Sequence, residues 1–160
     1  MFARLLSIGT VTFLVLAVGA SAQAADSQIG TWKLNVAKST YSPGPAPKSS
    51  EIKIEAAGAN GIKLAGHGVG ADGKPTKISY TANYDGNDAA MTTGESTSGL
   101  TIALHRVDAN TVETTNKRDG KTVGTGVVVI SADGKTRTYT MTGTTMDGKP
   151  LKNVLVYDKK

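Results

Sequence analysis

Asp119-Gly120-Lys121, Asp133-Gly134-Lys135 and Asp147-Gly148-Lys149 repeat one tripeptide at intervals of 14 residues. Asp72-Gly73-Lys74 is a fourth copy, and Asp85-Gly86-Asn87 is a variant. Glycine supplies a positive φ, and aspartate tolerates the left-handed region while bonding its own backbone, so each copy favours a tight reversal. One strand plus one turn fills a 14-residue step. That is the rhythm of an antiparallel meander.

The segments between the turns read as strands. Ile78, Tyr80, Ala82 and Tyr84 alternate with Lys77, Ser79, Thr81 and Asn83. Leu100, Ile102 and Leu104 alternate with Thr101, Ala103 and His105, and Arg137, Tyr139 and Met141 with threonines. Such period-two patterning marks a strand with one buried face. Thr111 to Arg118 is a polar strand with only Val112 apolar, while Val127 to Ile130 is apolar on both faces. Leu151 to Asp158 closes the chain.

Upstream, Ile52 and Ile54 share a face, Asn60-Gly61 is a hairpin signal, and Ile62 and Leu64 lead into Gly66-His67-Gly68, whose glycines predict a bulge or bend. The first strand, Ile29 to Val36, places Trp32, Leu34 and Val36 on one face, and Ala37 to Tyr41 has room for one helical turn. Pro43, Pro45 and Pro47 then forbid a helix or a central strand. Tyr41 to Lys48 reads as a stiff connector, or else as a loop over one end of a barrel.

About ten strands in sequence order, with no long helix, predict an all-β fold. The expectation is an antiparallel up-and-down β-barrel of eight to ten strands. Closure removes exposed edges. A two-sheet sandwich is the runner-up, but the short turns leave little chain for its crossovers.

Residues 1–24 read as a signal peptide: Arg4 in a basic start, an apolar run over Leu5 to Ala20, then small-x-small sites ending at Ala22 and Ala24. Cleavage is expected after Ala24, with Ala22 as the alternative, leaving residues 25–160 as a single periplasmic or secreted domain. No later segment is apolar for long enough to span a membrane. The chain has no cysteine, which excludes disulfides and thiolate zinc sites. Without Arg4 there are 17 Lys and Arg against 13 Asp and Glu, most of the basic residues scattered singly, so no nucleic-acid partner is expected.

Gly30-Thr31-Trp32 resembles the Gly-x-Trp signature of the lipocalin superfamily, in which the Trp lies on the first strand and closes one end of the barrel. Val154-Leu155-Val156-Tyr157-Asp158-Lys159 resembles the last strand of the fatty-acid-binding branch. With Lys38-Ser39-Thr40-Tyr41-Ser42-Pro43-Gly44-Pro45, the whole mature chain is similar to small exported bacterial lipocalin-like proteins of unassigned function. Two departures matter. Ala37 to Ser50 is too short and Pro-rich for the helix pair of the fatty-acid binders. Leu155 stands where that branch carries its ligand-gripping Arg, so fatty-acid binding is not carried over.

The candidate ligand residues are polar-tipped side chains on inward faces: Tyr80, Tyr84, Arg137, Tyr139 and Tyr157. Together with an apolar wall they would suit a small apolar or amphipathic ligand; alternatively they fill a core that has no Phe. Trp32 is expected to be a structural plug, with Arg106, Arg118 or Arg137 stacked on it. His67 and His105 lie opposite the aliphatic faces of their strands, so they are expected to point outward. No catalytic site, metal or cofactor is expected. The Asp-Gly turns are read as turn chemistry rather than calcium loops, since Ser96 stands where such a loop after Asp85 would need Glu.

Overall fold

The computed structural model describes residues 26–94, 99–145 and 147–160. The export signal, both cleavage sites and Ser96 lie outside them. The strands are β1 (Gly30–Leu34), β2 (Thr40–Ser42), β3 (Ser49–Ala56), β4 (Gly61–Val69), β5 (Pro75–Asn83), β6 (Ala89–Thr93), β7 (Leu100–Arg106), β8 (Thr111–Arg118), β9 (Lys121–Ile130), β10 (Thr136–Thr144) and β11 (Pro150–Lys159). From β3 onward each strand pairs antiparallel with the next. β1 pairs with both β3 and β11, which closes the sheet into an up-and-down barrel.

β11 is long enough to hold two partners on one edge. Tyr157 to Lys159 pair with β1, and Lys152 to Val154 pair with β2. β2 therefore continues the course of β1, and the eleven strands make ten staves. The interruption is a 3-10 turn over Val36–Lys38. Asn35 caps it, accepting from the Lys38 amide at 3.2 Å and donating to Asp158 at 2.7 Å. Ser39 Oγ donates to the Asn35 carbonyl and accepts from the Val156 amide, which pins the turn to β11.

Three sequence expectations need correction, and one strand, β6, has no sequence signal to announce it. Val36 does not share the inward face of Trp32 and Leu34; the 3-10 turn carries it out to 36 % exposure. β2 forms beside the prolines because β11 offers it an edge. β6 carries one large inward residue, Met91, in Ala89-Ala90-Met91-Thr92-Thr93, too few to register as a pattern. Gly66 and Gly68 make no bulge, since β4 pairs in unbroken register on both sides. Gly66 instead admits its neighbours: a Cβ there would meet methyls of Ile52 and Ile78 at 2.8 Å. The irregular pairing falls between Asn116 and Lys117.

The turns follow their residues. At Asp119-Gly120 both central residues have positive φ, 50° and 76°, and Arg118 pairs directly with Lys121, the geometry of a two-residue hairpin. At Asp72 and Asp133 the carboxylate accepts from the amide two residues on, at 3.0 Å in each case. These aspartates are occupied by their own backbone.

Trp32, Ile54 and Leu104 are the largest fully buried side chains. With Leu34, Ile62, Val112 and Ile130 they fill the barrel around Trp32. Val128 and Ile130 face inward, while Val127 and Val129 stand on the outer face. Among the described residues no helix is long and apolar enough to cross a membrane.

Candidate functional site

The barrel has a sealed end and an open one. The lead-in before β1 makes the seal. Asp26 Oδ2 accepts from the Tyr84 hydroxyl at 2.8 Å and pairs with Arg106 Nη2. Arg106 lies over the Tyr84 ring, 3.8 Å from its centroid. The Asp26 carboxylate also accepts from the Gln28 amide, and the Gln28 carbonyl accepts from Trp32 Nε1 at 3.0 Å. Trp32 is 0 % exposed. Burial and the bond to Asp26 push the Tyr84 phenol well above the ordinary range.

The cation over Trp32 is Lys159, 4.9 Å from the ring centroid, and not Arg106, Arg118 or Arg137. Register explains this, because Trp32 faces Lys159 directly across β1 and β11. Gly30 completes the arrangement. Its φ of +144° is costly for any other residue, and a Cβ there would meet Lys159 Cε at 2.8 Å.

Above this seal lies a cavity of about 290 Å³. Tyr80, Arg137, Tyr139 and Tyr157 line it, within an apolar wall that includes Ile52, Leu64, Met91, Ile102 and Leu155. Burial grades along it. Tyr80, Arg137 and Tyr157 are buried, whereas Ser50, Ile78, Asn116 and Met141 are half-exposed, so solvent enters from their end. The prolines join β2 to β3 at that open end, and none of them lines the cavity.

Of the five candidates from sequence, four come together here. Tyr84 does not; its hydroxyl belongs to the seal. Alternation along β8 carries Thr114 and Asn116 inward behind Val112, a signal open to anyone extending the period-two pattern past one apolar residue. The Tyr139 hydroxyl lies 3.1 Å from Thr114 Oγ1 and accepts from Asn116 Nδ2 at 3.2 Å. Tyr41, read as part of a connector, packs against the core, and burial raises its phenol to about 12. Burial likewise raises Tyr80 to about 12, with the Arg137 charge acting in the opposite direction.

Arg137 is 5 % exposed, and its Nε has no hydrogen-bond partner. None of the ion pairs among the described residues includes it. Its guanidinium carbon lies 5.7 Å from the Tyr157 ring centroid and 6.0 Å from that of Tyr139. Attractions at such range are worth about 0.5–2 kcal/mol, less than the several kcal/mol that a desolvated ion loses. A smaller void of about 10 Å³ lies between Arg137 and Gln28 and shares Tyr80, Thr114 and Val128 with the cavity. Gln28 Nε2 is also buried and without a partner.

His67 and His105 are exposed on the outer face. Among the described residues no three His, Asp or Glu side chains gather as a metal would require.

No protein-family model matches the chain. No curated protein matches it either. Among solved structures it is similar to a redesigned β-barrel, at 15 % identity and a TM-score of 0.52, over 86 % of this chain and 95 % of that one. At such identity the likeness concerns the fold alone: both chains form a β-barrel.

Proposed function

We propose that this chain is an exported, lipocalin-like carrier that holds a small apolar or amphipathic molecule non-covalently inside the barrel, without catalysis. The observation that carries this reading is the cavity of about 290 Å³ above a sealed floor, apolar along its wall and furnished with a few convergent polar groups. That is the build of a small-molecule site. The export reading rests on residues 1–24, and a periplasmic or extracellular address follows from it.

The second reading is an envelope module with a filled barrel and no ligand. It is favoured by the packing around Trp32, Ile54 and Leu104, and by a cavity at the lower edge of the ~300–1,000 Å³ range of ligand sites.

Native mass spectrometry of the mature protein, purified from its own cell envelope, separates the two. The carrier reading expects a bound small molecule that is lost on denaturation. At a hundredfold excess over Kd such a ligand adds about 2.7 kcal/mol to stability, so a thermal-shift screen of lipids and quinones should also respond. An apo mass together with a flat screen would replace the carrier with the filled module.

A further inference from the structure

We infer that the ligand of this barrel carries an anionic head, held at the cavity floor by Arg137. The inference rests on the carrier reading above and adds the chemical class of the cargo.

Three observations converge. Arg137 is buried at 5 % exposure, its Nε has no partner, and no carboxylate pairs with it among the described residues. An isolated buried cation is tolerated where something supplies the missing anion. The aromatic faces of Tyr139 and Tyr157 return only part of the desolvation cost. The second observation is Gln28 Nε2, another buried donor without an acceptor, across a void that Arg137 also lines. The floor therefore holds two buried donors that lack an acceptor, Arg137 Nε and Gln28 Nε2. The third is the wall. From the floor to the open end it is mainly apolar, with Leu64, Ile78, Ile102 and Leu155 on different strands. A molecule with its charge down and its apolar body toward the opening satisfies both. Carboxylate and phosphate monoester heads share the required chemistry, since a guanidinium fork matches either.

The test uses the mature chain and four probes with one tail: decanoate, decyl phosphate, decanol and decyltrimethylammonium, titrated by calorimetry at neutral pH. At least one anion should bind tenfold or more tightly than decanol, with the cation weakest, and the better anion names the head. In Arg137→Met that preference should vanish while decanol binding persists. The ligand-free variant should melt higher than the parent, because an unpaired charge has been replaced by an apolar chain. Gln28→Glu provides a second arm. A carboxylate on the shared void competes for the guanidinium, so anion preference should fall while decanol binding stays. If decanol and the anions bind the parent equally, the anionic head is wrong and the carrier stands. If Arg137→Met keeps the preference, or melts lower, Arg137 is a structural residue and the inference fails. If no probe binds, the carrier reading fails and takes the inference with it.

Discussion

At the sealed end Arg106 lies on the Tyr84 ring, and Asp26 bonds both. At the cavity floor Arg137 lies near the rings of Tyr139 and Tyr157, and no carboxylate reaches it among the described residues. The two clusters use the same residue types on the same fold, but one holds an acid and a half-buried arginine, the other a buried arginine and no acid among the described residues. With Asp26 present, the Arg–Tyr cluster is neutralised and becomes part of the wall. Without an equivalent acid among the described residues, the Arg137 charge stays unpaired. An inward arginine that an acid reaches is a structural ion pair, and one that no acid reaches keeps an uncompensated charge.

The largest effect is expected from making the first cluster resemble the second. Asp26→Ala leaves half-buried Arg106 without its carboxylate and buried Tyr84 without the acceptor of its hydroxyl. The side chains of the Arg106–Asp26 pair are 29 % and 17 % exposed, so the loss falls short of that for a fully buried pair. Chemical denaturation should show a loss of about 2–3 kcal/mol. A loss below about 0.5 kcal/mol, typical of surface positions, would mean that the acid does not distinguish the two ends.

Much of the comparison was legible in the sequence, and the part that was not has a definite cause. The inward faces of β5 and β10 follow from alternation, so Tyr80, Arg137 and Tyr139 are found by period alone. The Asp-Gly turns fix the order of the strands because their chemistry is local. Asp26 is different. It lies in a short polar lead-in with no period, and its partners stand 58 and 80 residues away. Nothing local marks it. Lys159 over Trp32 has no local signal for the same reason, being set by the register of barrel closure rather than by either strand. Alternation puts Tyr84 on the face of Tyr80, but Tyr84 lies just past the end of β5, where its hydroxyl joins the seal and not the cavity.

A smaller effect tests whether the two halves differ in packing. Val112, 3 % exposed, lies in the filled part of the barrel, and Ile78 lines the cavity. Val112→Phe should cost about 2 kcal/mol through overpacking. Ile78→Phe adds atoms where space exists, so its cost should stay within about 0.5 kcal/mol while it shrinks the volume open to a ligand. Equal costs for the two variants, measured by urea unfolding, would mean that the cavity closes in solution and would favour the filled barrel.

The smallest effect is a pH dependence confined to alkaline solution. Tyr80, at the cavity wall, is held protonated to about 12 by burial, against an ordinary value of 10.0. Below pH 10 the folded and unfolded chains both keep this proton, so the group makes stability neither rise nor fall. Between 10 and 12 the unfolded chain releases it first, and stability falls as pH rises. Tyr41, also raised to about 12, acts in the same direction. At pH 11 the Tyr80 share amounts to about 1 kcal/mol. Tyr80→Phe should therefore flatten the decline in Tm between pH 10 and 12 and leave its shape at neutral pH unchanged. A bound anion above Arg137 would make the phenol harder still to ionise, since a second negative charge would then have to form beside the first. The decline should accordingly move to higher pH when the cavity is loaded and stay in place when it is empty.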